Sequence, residues 1–271
     1  MFDELAEGVF RRRYEHLDLN VGVIIGEDGV LIIDTRSTHR EADELLRDLS
    51  RLTDLPVSRV INTHWHWDHA FGNSRFSGAS IVGHVNCRTR LLQEGEEMKR
   101  GVALDWFSAE TRHEIDEVEI VAPTETFAIE STLDMGRRVD LTYYGRGHTD
   151  ADIIIRVPDA DVAFFGDLVE QGAPPSFGDS YPLEWPLTLR LATEDMAGTI
   201  VPGHGDVVNA DFVESQHQEL VMVAELAQAY RDGELGLEEA CAAGPYPETI
   251  MEEALERAKF GVDAERSASE T

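Results

Sequence analysis

Lysine is almost missing from this 271-residue chain: Lys99 and Lys259 are the only two, and arginine supplies the rest of its 23 basic residues. Against 53 acidic residues the formal net charge is -30. A field of that sign repels phosphate backbones and anionic membrane surfaces, which argues against nucleic acid or membrane as partners. Two origins fit the acidity, adaptation to high salt or an arginine-biased genome with ordinary acidic helices, and composition does not separate them. Cysteine is equally scarce. Cys87 and Cys241 lie far apart and form no disulfide framework, which fits a reducing compartment. No apolar run is long enough to span a bilayer. The opening MFDELAEGVFRRRYEH also lacks the apolar stretch of a secretory signal, so a cytoplasmic location is expected. No GxGxxG follows the first predicted strand, which removes support for a dinucleotide fold.

What is present is a full core. Hydrophobic residues make up 42% of the chain, as in ordinary globular domains. Two apolar runs over 19–35, joined at Gly26-Glu-Asp-Gly29, predict a hairpin whose second strand ends at Asp34. A helix over 39–52 follows, with Ala42, Leu45, Leu46, Leu49 and Leu52 on one face. Further strands are predicted at 57–61, 79–83, 126–129, 138–144, 152–157, 162–165 and 199–201. Residues 93–125 are expected as helix or loop over the site, and 171–186, rich in Gly and Pro, as a loop. Helices are expected over 187–196, 211–230 and 248–260. Strands in two groups with helices between and after them suit a sandwich of two sheets better than a doubly wound sheet. Residues 1–210 are read as the catalytic domain. Residues 211–271 are read as a helical extension packed on it, beyond the last candidate ligand, where truncation should cost stability without touching the metal donors.

Chemistry concentrates in His64-Trp-His66-Trp-Asp68-His69. In extended backbone, residues two apart share a side. His64 and His66 therefore converge, while a turn at Asp68-His69 aims a second pair elsewhere. Imidazole and carboxylate suit Zn²⁺. Three histidines and an aspartate within six residues are hard to explain as packing. His148 in GRGH, Asp167 in FFGD and His204 in PGHG each follow a predicted strand, with small residues beside them that let backbone approach a site. Each alone is a weak signal, since an Asp after a strand is often a turn residue, and their shared placement groups them.

This pattern, HxHxDH with a later His, Asp and His, resembles the metallo-β-lactamase superfamily over residues 19–205. The resemblance implies an αββα four-layer sandwich with metals at one edge of the two sheets. It implies that His64, His66 and His148 hold one zinc and Asp68, His69 and His204 a second, with Asp167 bridging. Asp34 would support the ligands from behind. Two Zn²⁺, two carboxylates and a bridging hydroxide leave about +1 in the site. The implied enzyme is a binuclear zinc hydrolase in which the hydroxide attacks a carbonyl or similar electrophile of a small ester, thioester, lactone or lactam. Asp68 would orient the nucleophile or pass a proton. The local positive charge points to a substrate with an anionic handle. Manganese or iron are other candidate metals.

The pattern also departs from named branches of the superfamily. Asp167 stands where one major group of β-lactamases has a metal-binding Cys. His69-Ala-Phe-Gly-Asn73 differs from the HxGG continuation of glyoxalase II-like thioesterases and RNA-processing nucleases. His66 replaces the Glu of flavodiiron oxygen reductases. A mononuclear iron sulfur or persulfide dioxygenase of the same superfamily, and a non-catalytic metal-binding protein, are the rival readings. A filled set of seven donors weighs against both. Phe177, Tyr181 and Trp185 are candidate pocket residues, weighed against a merely rigid Pro-rich connection. Trp65 and Trp67, alternating with the ligands, are read as packing residues. The sequence leaves oligomeric state open.

Overall fold

Alternating apolar side chains build two sheets back to back. The computed structural model describes residues 1–27, 29–105, 107–109, 111–194 and 198–269, apart from the side chains of 103–105 and 260–269. The first sheet runs in chain order through β1 (Asp3–Ala6), β2 (Val9–Arg13), β3 (Asn20–Ile25), β4 (Val30–Ile33), β5 (Val57–Ile61), β6 (Ser80–His84) and β7 (Glu125–Phe127). It is antiparallel as far as β4 and parallel from there. Its parallel steps use α1 (His39–Leu49), the single turn α2 (Trp67–Ala70), and α3 (Val85–Asp105) with α4 (Arg112–Asp116) as crossovers. The second sheet has the order β12 (Thr199–His204), β11 (Val162–Glu170), β10 (Ile153–Val157), β9 (Arg138–Tyr143), β8 (Glu130–Asp134).

The period of two decides which layer each residue joins. Leu31 and Ile33 of β4 point between the sheets, where they meet Ile153, Ile155 and Val157 of β10. Val30 and Ile32 point the other way, onto Ala42, Leu45 and Leu49 of α1. Ile154, Ala163, Phe165 and Ile200 form the outer face of the second sheet. That face is covered by α5 (Trp185–Thr193), α6 (Ala210–Arg231), α7 (Leu237–Ala243) and α8 (Glu248–Ser269). Helix, sheet, sheet, helix is the expected four-layer order. Residues beyond 210 share one core with β10, β11 and β12, through Val213, Leu220, Val223, Met251, Leu255 and Ala258. Residues 195 and 196 and the side chain of Phe260, all assigned to predicted helices, lie outside the described residues. No described helix is long and apolar enough to cross a membrane. Both cysteines are buried and unpaired.

One difference from the sequence reading bears on the site. The strand predicted over 162–165 continues to Glu170, so Asp167 lies within β11 rather than after it. Gly166, at φ +51, interrupts the register against β12 and lets the chain resume pairing beyond it.

Candidate metal centre

The donors collect at one end of the sandwich, where β5 of the first sheet and β9, β11 and β12 of the second have their C-terminal ends. β5 runs into Asn62-Thr63-His64 in the middle of the first sheet, and His64 is fully buried. His66 is still extended (φ −65, ψ 153), and the turn of α2 then redirects Asp68 and His69. The second sheet supplies the rest. His148 comes from the loop joining β9 and β10, Asp167 from β11 and His204 from the last residue of β12. Asp152 organises that loop by accepting from the Thr149 amide at 2.8 Å and its hydroxyl at 2.6 Å. Burial pushes the Asp152 carboxyl up to about 7 despite these bonds.

All seven predicted donors come together, in two groups. His64, His66, His148 and Asp167 form one and Asp68, His69 and His204 the other, with donor atoms in each group within 4.8 Å of one another. Asp167 lies against both groups: its oxygens are 3.5 Å from His148 Nε2, 3.7 Å from His64 Nε2, and 3.3 Å from both His69 Nε2 and His204 Nε2.

Support from behind turns the ring lone pairs inward. Asp34, held in the left-handed region at φ 65, accepts from the Thr63 amide, the Thr63 hydroxyl and His69 Nδ1, each at 2.8 Å. With the Thr63 hydroxyl given to Asp34, its oxygen is left to accept from His64 Nδ1 at 3.0 Å. His204 Nδ1 donates to the Leu17 carbonyl at 2.7 Å. These bonds place the ring protons outward and leave Nε2 of His64, His69 and His204 as lone pairs. Yet His69 Nε2 and His204 Nε2 approach to 3.3 Å, and His66 Nδ1 and His148 Nε2 to 2.9 Å. The His64 Nε2 and Asp167 Oδ1 atoms are buried with no hydrogen-bond partner. Converging lone pairs and orphaned acceptors of imidazole and carboxylate type fit divalent cations.

Sequence reasoning missed Asp179. It sits in the loop after β11 and binds His66 Nε2 through both oxygens, at 2.9 and 3.1 Å. Burial alone would lower His66, but the facing Asp179 charge and its bond raise the ring to about 9. A lone Asp in a Gly- and Pro-rich loop carries no local signal. Only the fold brings it across 113 residues.

A cleft of about 800 Å³ opens onto the donors. Its walls are Leu17 and Asp18, Trp65 and Trp67, Glu94, Glu97 and Met98 of α3, and segments of 170–179. The expected aromatic pocket is therefore corrected. Phe177 and Trp185 are fully buried in the core behind the second sheet, where the Trp185 indole donates to the Leu168 carbonyl at 3.2 Å. Tyr181 packs against the guanidinium groups of Arg146 and Arg257. The loop's small residues reach the cleft instead, because its large rings are drawn into apolar surface. Trp185→Ala is accordingly expected to lower unfolding free energy by about 3–5 kcal/mol in urea titration. An unchanged midpoint with a raised KM would restore Trp185 to the pocket. Trp65 and Trp67 do pack with Phe71, Leu91 and Phe107, and both also border the cleft. An anionic handle would have only the metal charge to meet it, with no help from the walls. Among the described residues no Lys or Arg lines the cleft, while Asp18, Glu94, Glu97, Glu170 and Asp179 do.

Comparison with known proteins agrees with this architecture. The metallo-beta-lactamase superfamily model matches residues 17–204, a span that contains all seven donors. The chain is 22% identical over 202 residues to the metallo-beta-lactamase type 2 of Bacteroides fragilis, covering 72% of each. It is 24% identical over 185 residues to that of Bacillus cereus, covering 66% of this chain and 64% of the relative. The solved metallo-beta-lactamase from Pontibacter korlensis has the same fold, with a TM-score of 0.65 over 82% of this chain and 98% of its own, at 19% identity. With a donor cluster suited to divalent metal at its sheet ends and the family match spanning most of its length, the chain belongs to the metallo-beta-lactamase superfamily and has the equipment of a metal-dependent hydrolase.

Proposed function

We propose that the protein is a binuclear zinc hydrolase acting on a small ester, thioester, lactone or lactam that is uncharged or cationic. The observation that carries this reading is the sharing of Asp167 between two groups of inward-facing donors. His64, His66 and His148 would hold one zinc ion, Asp68, His69 and His204 the other, and Asp167 would face both. When bound, the ions supply electrophilic charge and bring the ionisation of water to about pH 7.

The chain's own residues do the rest. Asp34 and Asp179 hold the rings of His69 and His66 in register for their ligand atoms. Asp68, partly open to the cleft and 3.3 Å from His204 Nε2, is placed to orient a water or take its proton. Trp65 and Trp67 offer apolar surface to the substrate, and the acidic wall disfavours a carboxylate or phosphate handle.

Metal content of protein purified without added metal, followed by a panel of neutral, cationic and anionic substrates, tests the reading. Two zinc ions per chain are expected, with cationic or neutral esters, lactones or thioesters turned over in preference to anionic analogues. One iron per chain would support the sulfur dioxygenase instead. Two zinc ions with no turnover across the panel would support a non-catalytic metal-binding protein. His66→Ala is expected to remove one of the two ions, by metal analysis of the variant. Full retention would remove His66 from the ligand set.

A further inference from the structure

The helix α8 lies outside the segment that matches the family, yet it reaches the loop that carries Asp179. Its apolar side, Met251, Ala254, Leu255 and Ala258, is buried in the core with Phe177. The neighbouring side presents Glu253 and Arg257, one turn apart. Arg257 Nε donates to the Ser180 carbonyl at 2.8 Å and Nη2 to the Asp179 carbonyl at 2.9 Å. Glu253 accepts from the Phe177 amide at 3.3 Å. The loop is thus held at three backbone positions on either side of Gly178, those of Phe177, Asp179 and Ser180, between a buried ring and a guanidinium fork. The held segment ends in the Asp179 carboxylate on His66 Nε2.

We propose that Arg257, with Glu253, is a positioning residue for the metal centre. It fixes the backbone of Asp179 so that the carboxylate sets the ring orientation and outward ring proton of His66, leaving Nδ1 for the metal. This rests on His66 being a ligand, as read above, and adds that the extension beyond residue 210 takes part in building the site. Truncating that extension is then expected to weaken the metal site as well as the fold, against the sequence reading. A charge-assisted fork on two carbonyls is a specific restraint that lysine cannot reproduce.

Zinc affinity by chelator competition is compared for the parent, Asp179→Asn, Arg257→Gln, Arg257→Lys and the double variant Asp179→Asn/Arg257→Gln. Glu256→Gln, on the same helix but bonded to Tyr230 and Lys259, is the stability control. Asp179→Asn and Arg257→Gln are each expected to lose about 10–100-fold in affinity. Arg257→Lys should recover only part of it. The double variant should lose little more than Asp179→Asn alone, because Arg257 acts through that residue. The ring nitrogens of His66, followed by NMR in metal-free protein at a pH above about 9, where the ring is neutral, should show the Nε2 proton in the parent and a mixture of tautomers in Arg257→Gln. If Arg257→Gln does not fold, Glu253→Gln and the metal-free spectrum of Arg257→Lys carry the test. Parent-like affinity and an unchanged His66 spectrum in the Arg257 variants, or losses that simply multiply in the double variant, would overturn the proposal. Retention of both ions by His66→Ala would instead overturn the ligand reading, and the metal-free spectra would still judge the restraint.

Discussion

Gly203→Ala is expected to fold and yet to lose zinc from both halves of the site, with turnover down by about 10²-fold or more. A Cβ at Gly203 would lie 1.7 Å from Asp167 Oδ1, and 3.0 Å from both Asp167 Cγ and the Gly166 carbonyl carbon. No side chain tolerates such a contact, and β11 and β12 are paired parallel neighbours with little room to part. The carboxylate of Asp167 therefore has to rotate or retreat from the atoms around it. Gly203 does not have a positive φ, so alanine costs nothing in backbone conformation there and the effect is steric, aimed at one side chain. Overpacking of this kind costs about 1–3 kcal/mol of stability, small beside the loss of the shared donor. Metal content, circular dichroism and turnover on one preparation check it. A Gly203→Ala protein that keeps two ions and parental turnover would show that Asp167 is not the shared donor.

Asp68→Asn is expected to lower turnover by about 10²–10⁴-fold while metal content falls far less. Asn keeps an oxygen in place, so the group with His69 and His204 retains its third donor. What it loses is the charge that holds and accepts a proton. The position supports that separation: Asp68 sits within 3.5 Å of His69 Nε2 and 3.3 Å of His204 Nε2, and it also borders the cleft. The comparison is turnover per bound zinc, measured on the same preparation as the metal analysis. Near-parental turnover would leave Asp68 a ligand only, and the proton would need another acceptor.

How much of this was legible in the sequence depends on how local each signal is. His64 through His69 declare themselves because extended spacing and one turn suffice to aim them, and the structure keeps that arrangement. Neighbouring glycines mark His148 and His204, and both are used for close approach, Gly147 against Leu168 and Gly203 within β12 against Asp167. Asp167 was found, but its strand was cut short, because the bulge at Gly166 reads as an ending when its partner β12 is unknown. β8 went unpredicted, since Glu130–Asp134 is a charged, half-exposed edge strand with no buried face to show a period. β1 and β2 escaped for a similar reason, their residues being mostly exposed or half-buried and three of them consecutive arginines. The aromatic residues of the 171–186 loop misled because ring type alone does not say which side of a loop is apolar. Asp179 was beyond reach, as its role exists only through contacts with His66 and α8.

The path from α8 to His66 has a consequence for recombination. In many folds a surface loop beside an active site behaves as a cassette, exchangeable between relatives to change what is accepted while the chemistry is inherited intact. Here the loop's far side is bolted to residues about 75 positions further along, 76 for Phe177 and Glu253, 77 for Ser180 and Arg257. A transplanted loop that arrives without its helix would bring a carboxylate with no fixed address. Among the described residues, no hydrogen bond joins the α3 wall residues Glu94, Glu97 and Met98 to a donor or to Asp179, although Met98 packs beside Trp65 and Trp67. Diversification of specificity in this lineage, natural or in a library, therefore has its freer route through α3, whereas loop and terminal helix can be inherited only together.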